Sequence, residues 1–217
     1  MGPLFLGVDW GGGTLSYTVP WIWQCVDTKI PRFRLVYVSK ITEPSTEKQA
    51  DMIADLIDRY DIAQAVMDAG GGTRQVEKLS NRYGLRIVKC NYVERPGAPF
   101  EFIYSENRVI VDRTWGIDTI IDLIQRPETN INIPSGVPRI ILPGKELQKV
   151  EWIIDQFTCI EAEFVDLPSG KKYVKYDHPQ ESPDDALHAC IYAYCAFRAN
   201  SGSKRGAIAT GTMGGSR

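Results

Sequence analysis

The sequence predicts an α/β domain: a mixed sheet flanked by helices, with a β-hairpin near its end. Three observations carry that expectation. Three apolar or alternating stretches, 4–9, 16–26 and 32–41, follow one another at the start as a meander. From residue 45 onward, helical and extended patterns alternate, which is the order that builds strands joined by helical crossovers. Late in the chain, 161–176 reads as extended on both sides of Pro168-Ser169-Gly170, whose residue types make turns.

The remaining elements follow in order. "STEKQADMIADLIDRY" (45–60) begins with a Ser/Thr cap and carries Glu47 in its first turn. Met52, Ile53, Leu56 and Ile57 recur at helical spacing and predict one apolar face. "IAQAVMD" (62–68) is a short buried strand, 73–83 a helix, and "LRIVKC" (85–90) a strand. Residues 115–125 read as helix, 139–143 as extended and 145–157 as helix. "SPDDALHACIYAYCAF" (182–197) is the last helix, with Ser182 as N-cap and Pro183 in the first helical position. Its spacing sets Leu187, Ile191 and Tyr194 against the sheet. Residues 199–217 are Gly/Ser-rich, basic and unpatterned, so the division expected is a domain over 1–198 and a flexible tail over 199–217. There is no repeat of 20–50 residues.

Composition narrows the class. A chain of 217 residues, 43% hydrophobic and 24% charged, has the make-up of one ordinary globular domain. No apolar run approaches the roughly 18 residues of a membrane span. The start, "MGPLFLGVDW", lacks a basic leader and a cleavage site and enters a strand almost at once, as a piece cut from a longer chain would. Five cysteines, an odd number with no CxxC pair, predict reduced core thiols and an intracellular setting. A net charge of −2 means that any nucleic-acid binding must come from a local patch.

Two motifs nearly repeat: "FLGVDWGGGT" (5–14) and "AVMDAGGGTR" (65–74). Each carries an aspartate, Asp9 or Asp68, off the end of an apolar strand and into glycines. A strand-end Asp-Gly is often only a turn, but ligands of open α/β sheets gather at that end. Neighbouring strand tips lie about 5 Å apart, so two such carboxylates would repel unless a cation lay between them. Asp184 and Asp185 add two more acids in the first turn of the last helix, where they also complement the helix dipole. A set of hard oxygen donors describes a Mg²⁺ or Mn²⁺ site rather than zinc.

Asp9 on the first strand, Asp68 at the end of the fourth and "PDDALHA" opening the C-terminal helix resemble the RNase H-like nucleases. More narrowly, the order of elements, including the late hairpin, is similar to the nuclease domain of the large terminase subunit of tailed bacteriophages. The resemblance spans about residues 4–198. It implies a divalent-metal-dependent endonuclease that cuts concatemeric viral DNA during genome packaging. It further implies that Asp9, Asp68 and Asp185 bind two Mg²⁺ or Mn²⁺ ions, with Asp184 auxiliary; the Asp-Ala-Leu spacing favours Asp185 as the leading acid of the pair. His188 either orients water or the leaving group or, in the simpler reading, faces solvent, and His178 is a loop residue. The partners implied are double-stranded DNA, an ATPase half of the same protein, a small terminase subunit and a portal, all in the cytoplasm of an infected host. The motor itself is not encoded here: "PSGKKY" lacks the first glycine and the hydroxyl of a phosphate-binding P-loop.

Arg74, Lys78 and Arg82 recur at steps of four, with Arg86 beyond, as a basic stripe leading away from Asp68. That stripe, with Lys171, Lys172 and Lys175 of the hairpin, is the expected phosphate contact, and the hairpin a movable guard over the cleft. The alternative is an actin-like or sugar-kinase-type ATP-binding domain, using "DWGGGT" and "DAGGGT" as phosphate loops. Such folds need two of these domains, and they assign nothing to Asp184-Asp185. Junction resolvases and transposase cores of the same fold normally include a Glu among their acids, and a plain interaction module leaves the acids unexplained.

Overall fold

The computed structural model describes residues 2–11, 17–27, 32–94, 99–125, 140–141, 151–166, 170, 172–179 and 181–209. Among these residues the main sheet has eight strands: β1 (Leu4–Asp9), β2 (Val19–Asp27), β3 (Arg32–Val38), β4 (Gln64–Asp68), β5 (Ile87–Val93), β6 (Phe100–Ile103), β7 (Arg108–Asp112) and β8 (Ile140–Ile141). They lie in the order β6-β7-β5-β4-β1-β2-β3-β8. The β1–β2–β3 meander is antiparallel, as is β6 on β7, whereas β1 and β4, β4 and β5, and β5 and β7 pair in parallel. A separate antiparallel hairpin pairs β9 (Glu161–Asp166) with β10 (Lys172–Asp177). The mixed sheet and the late hairpin are those the sequence predicts.

Five helices among the described residues cover the sheet: α1 (Thr46–Tyr60), α2 (Thr73–Tyr83), α3 (Arg113–Gln125), α4 (Glu151–Thr158) and α5 (Asp185–Ala209). Strand alternation divides the core between them. Leu6, Val8, Ala65 and Met67 face α1 and α2, while Phe5, Val66, Val88 and Cys90 face α3, α4 and α5. The sheet is therefore filled on both sides, and its parallel strands read as continuous apolar runs for that reason.

Local signals placed α1 and α2 closely. Ser45 caps α1 by accepting the Lys48 N–H at 3.4 Å, and Asp61 ends it in the left-handed region with φ 45°. Ile53, Leu56 and Ile57 are buried as expected, but Met52 is 44% exposed, lying at the edge of the apolar stripe. Strands β6 and β7 were not foreseen: "FEFI" and "RVIVD" are short, and their pairing is set by tertiary neighbours rather than local pattern.

The last helix departs most from expectation. It begins at Asp185, because Asp184 supplies its backbone carbonyl to the Leu187 and His188 amides. Ser182, the expected cap, instead donates its own N–H to Pro179 O in a preceding turn. The helix continues to Ala209, so the stretch expected as a flexible tail from 199 begins as helix. Nearly every side chain from Ala186 to Ala196 is buried, so this stretch of α5 is covered on all sides, whereas Arg198 and Ser201 beyond it are exposed. Its approach to β1 is set by Gly7, where an added Cβ would stand 1.9 Å from Ala189 O and 2.3 Å from Ala193 N. The turn seated on β1 is thus the small-residue stretch around Ala189 and Ala193, while Ile191 meets Gly116 of α3.

Candidate active site

Asp9 and Asp68 emerge at the same edge of adjacent parallel strands, whose register pairs Val8 with Met67 one step earlier. Both belong to the face covered by α5, since they continue the alternation of Phe5 and Gly7 on β1 and of Val66 on β4. Gly7 lets α5 press close to β1, and its first residue, Asp185, is thereby brought to these tips. The electrostatics record the convergence. Asp9 has its carboxyl pushed well above 3.8, first by burial and then by the charges of Asp185, Asp68 and Asp184. Acids separated by more than a hundred residues of chain thus lie within electrostatic reach of Asp9.

The glycines beside Asp68 have distinct jobs. The Gly70 and Gly71 amides turn back and donate to Asp68 Oδ1 and Oδ2 at 3.0 and 2.6 Å. At Gly72 a Cβ would fall 1.9 Å from Cδ1 of Trp10, so the indole of the first motif lies directly on the glycine of the second. The two Asp-Gly motifs are therefore parts of one structure. Among the described residues, the Gly70 and Gly71 amides serve Asp68 and the Gly11 amide donates to the Thr18 hydroxyl at 3.1 Å, so these amides are already engaged within the protein.

Asp184 and Asp185 separate into different roles. Asp184 is 8% exposed. Its Oδ2 accepts from Arg113 at 3.1 Å and lies 2.8 Å from His188 Nε2, and its Oδ1 lies 3.5 Å from His178 Nε2. Burial alone would raise this carboxyl, but His188, His178 and Arg113 outweigh it and hold it at about 2. Asp184 is thus already engaged by one guanidinium and two imidazoles. Asp185, by contrast, is the neighbour whose charge Asp9 feels most.

His188 does not face solvent. It is 8% exposed, with Nε2 on Asp184 and Nδ1 2.9 Å from the Tyr92 hydroxyl. Burial holds the Tyr92 hydroxyl well above its ordinary value. His178 lies in a loop, as expected, yet it reaches the same carboxylate. Sequence reasoning missed Tyr92 and Arg113. The i,i+4 spacing of Asp184 and His188 was a legible pairing signal; Tyr92 continues the Val88–Cys90 alternation of β5, while Arg113 had no local signal at all. Arg113 also donates to Tyr176 O at 3.4 Å, and Thr114 to Val174 O at 3.0 Å, so the start of α3 holds the hairpin beside the site.

The basic stripe is largely engaged between helices. Lys78 pairs with Asp51 at 2.7 Å and Glu47 at 3.8 Å, Arg82 with Asp58 at 2.7 Å, and Arg86 with Asp61 at 3.8 Å. These contacts fasten α2 and the segment after it to α1 and its C-terminal cap. Lys172 reaches Asp166 across the hairpin at 3.9 Å; Lys171 lies outside the described residues. Arg74, in the first turn of α2, is exposed near the Asp68 loop.

The donor set fits a divalent cation: three carboxylates whose mutual repulsion is already expressed in the displaced titration of Asp9. As they stand, no three acidic, histidine or cysteine side chains among the described residues are gathered closely enough to enclose a metal ion.

The sequence matches no protein-family model and no curated protein. Among solved structures, the chain is similar to a point mutant of the nuclease domain of the large terminase subunit of bacterial virus Sf6 with manganese. The TM-score is 0.60 at 12% identity, covering 88% of this chain and 87% of that one. The chain shares the fold of that nuclease domain. The terminase nuclease of thermophilic phage G20c with bound magnesium is also similar, with a TM-score of 0.51 at 13% identity over 89% of this chain and 80% of its own. The RNase H-like terminase architecture implied by the sequence motifs is thus the architecture observed. No helix among the described residues is long and apolar enough to cross a membrane.

Proposed function

We propose that this chain is a divalent-metal-dependent DNA endonuclease, the nuclease half of a large terminase that cuts concatemeric viral DNA during packaging. One observation carries the reading: on a terminase nuclease fold, Asp9 is crowded by Asp185 and Asp68 at the strand tips. Asp9, Asp68 and Asp185 would hold the metal, as two Mg²⁺ or Mn²⁺ ions. The chemistry supplied by ions held on these three carboxylates would be activation of a water and neutralisation of charge on the entering and leaving oxygens of the phosphodiester.

The protein's own residues divide the remaining work. Asp184 anchors Arg113 and His188 beneath the site. Both ring nitrogens of His188 are engaged, by Asp184 and by the Tyr92 hydroxyl, and through them it orders the first turn of α5. Arg74 is placed to meet a phosphate near the Asp68 loop, whereas Lys78 and Arg82 contribute first to the α1–α2 interface. The kinase-like alternative loses support because the Gly70 and Gly71 amides serve Asp68. DNA would be the substrate. The ATPase half, a small terminase subunit and a portal would be the partners, in the cytoplasm of an infected host.

A plasmid-nicking assay with Mn²⁺, Mg²⁺ or EDTA tests the reading on the parent and on Asp68→Ala. Nicking is expected with either metal, none in EDTA, and a loss of at least about a hundredfold in the variant. Cutting in EDTA, or full activity in Asp68→Ala, would refute it.

A further inference from the structure

Asp184 stands at the N-cap of α5, where an aspartate ordinarily turns its own carboxylate onto the free amides of the first turn. Here that carboxylate is drawn away by Arg113, His178 and His188. The cap must come from elsewhere, because a buried N–H left unpaired is costly. It comes from Gln156 of α4. The Gln156 Oε1 accepts the Ala186 N–H at 2.7 Å, in a buried contact between residues thirty apart in sequence. The same carboxamide donates through Nε2 to the Tyr17 hydroxyl, on the segment joining β1 to β2. Gln156 is 3% exposed, and both ends of its amide are engaged. The Cys159 thiol, one turn on, lies 3.9 and 3.8 Å from the Ser182 and Pro183 carbonyls that lead into α5.

Ala186 follows Asp185 directly, and Tyr17 lies on the strand connection that starts from Asp9. One buried carboxamide thus links the first turn of α5, which carries Asp185, to the Tyr17 side chain just before β2, whose Val19 pairs with Asp9 in the sheet. We propose that Gln156 is a positioning residue for that site: it caps α5 from outside the helix and fixes the turn that presents Asp185 towards Asp9. The inference rests on the metal-nuclease reading and extends it to a residue with no ligating role of its own. It also accounts for a polar side chain buried in the middle of an otherwise apolar α4 face beside Ile153.

The test is Mn²⁺ binding, by titration calorimetry or the electron paramagnetic resonance of free Mn²⁺, on the parent, Gln156→Leu, Tyr17→Phe and Ile153→Ala. Gln156→Leu keeps the volume and removes the cap. The expected result is Mn²⁺ affinity weaker by about tenfold, the scale of one lost buried hydrogen bond, with the KM for DNA at saturating Mn²⁺ unchanged. Tyr17→Phe frees one end of the carboxamide and is expected to weaken affinity about threefold, and it carries the test if Gln156→Leu does not fold. Ile153→Ala lowers the melting temperature without touching the cap and should bind Mn²⁺ as the parent does. Parental affinity in Gln156→Leu, or an equal loss in Ile153→Ala, would overturn the inference while leaving the nuclease reading intact. A parent that binds no Mn²⁺ overturns the metal reading itself, and this inference with it.

Discussion

Asp9→Asn and Asp184→Asn each remove one carboxylate from the same corner of the molecule, yet they should move stability in opposite directions. Asp184 is held at about 2 rather than 3.8. A depressed carboxyl stabilises the fold above its unfolded value, and that contribution is lost as pH falls from about 4 to 2. Nearly two units at about 1.4 kcal/mol each give about 2 kcal/mol at neutral pH. Asp184→Asn would forgo this and leave Arg113 and His188 short of a partner. For a chain of this length the melting temperature should fall by about 4–8 °C. Asp9 has the reverse sign: its carboxyl is raised by burial and by Asp185, Asp68 and Asp184. The folded state therefore loses stability as pH rises above 3.8, and Asp9→Asn should stabilise the metal-free protein at pH 7. Urea unfolding in EDTA at pH 5 and pH 7 measures both. Saturating Mn²⁺ should then stabilise the parent and leave Asp9→Asn nearly unmoved. An Asp184→Asn variant within about 0.5 kcal/mol of the parent, or a less stable Asp9→Asn in EDTA, would refute the assignment of roles.

Other consequences are simpler to test. Gly7→Ala places a Cβ 1.9 Å from Ala189 O; α5 must move outward, at a cost of about 3 kcal/mol or more, and metal-dependent nicking should fall with it. Normal melting and activity would show that α5 yields cheaply. Arg74→Glu should weaken DNA binding and lower its salt slope by about one, whereas Lys78→Ala should leave affinity near the parent's in fluorescence anisotropy. Because the Lys78 pairs are exposed, that second change should cost less than about 1 kcal/mol in urea unfolding. Burial raises the thiols of Cys90, Cys190 and Cys195, the last to about 12. A thiol reagent at pH 8 should therefore leave these three unmodified until denaturant is added, and rapid labelling of the native protein would contradict their burial.

Much of this architecture was legible because its signals are local. The Ser45 cap, the 3.6-residue spacing of Ile53 and Ile57, and the apolar run before Asp68 each lie within a few residues of the feature they specify. The strand-tip placement of Asp9 and Asp68 followed from the same runs, and so did the suspicion that they belong together. Where the signal was not local, the reading failed. β7 is stabilised by β5 and β6 on either side rather than by its own five residues. The start of α5 was misplaced because Ser182 and Pro183 look like a better opening than Asp184 until the side chains around them are known.

The sequence by itself determined that acids would stand at strand ends and at a helix start, since periodicity and turn chemistry decide those positions residue by residue. Only the tertiary structure decided what each acid faces. Asp184 and Asp185 are adjacent and chemically identical, and along the chain only the i,i+4 spacing of Asp184 to His188 and the Asp-Ala-Leu run after it hint at a difference. Arg113, 71 residues away, takes one of them, and Asp9 crowds the other. Charge acts through space and not along the chain, so that division of labour exists only once α3, β1 and α5 have been brought together.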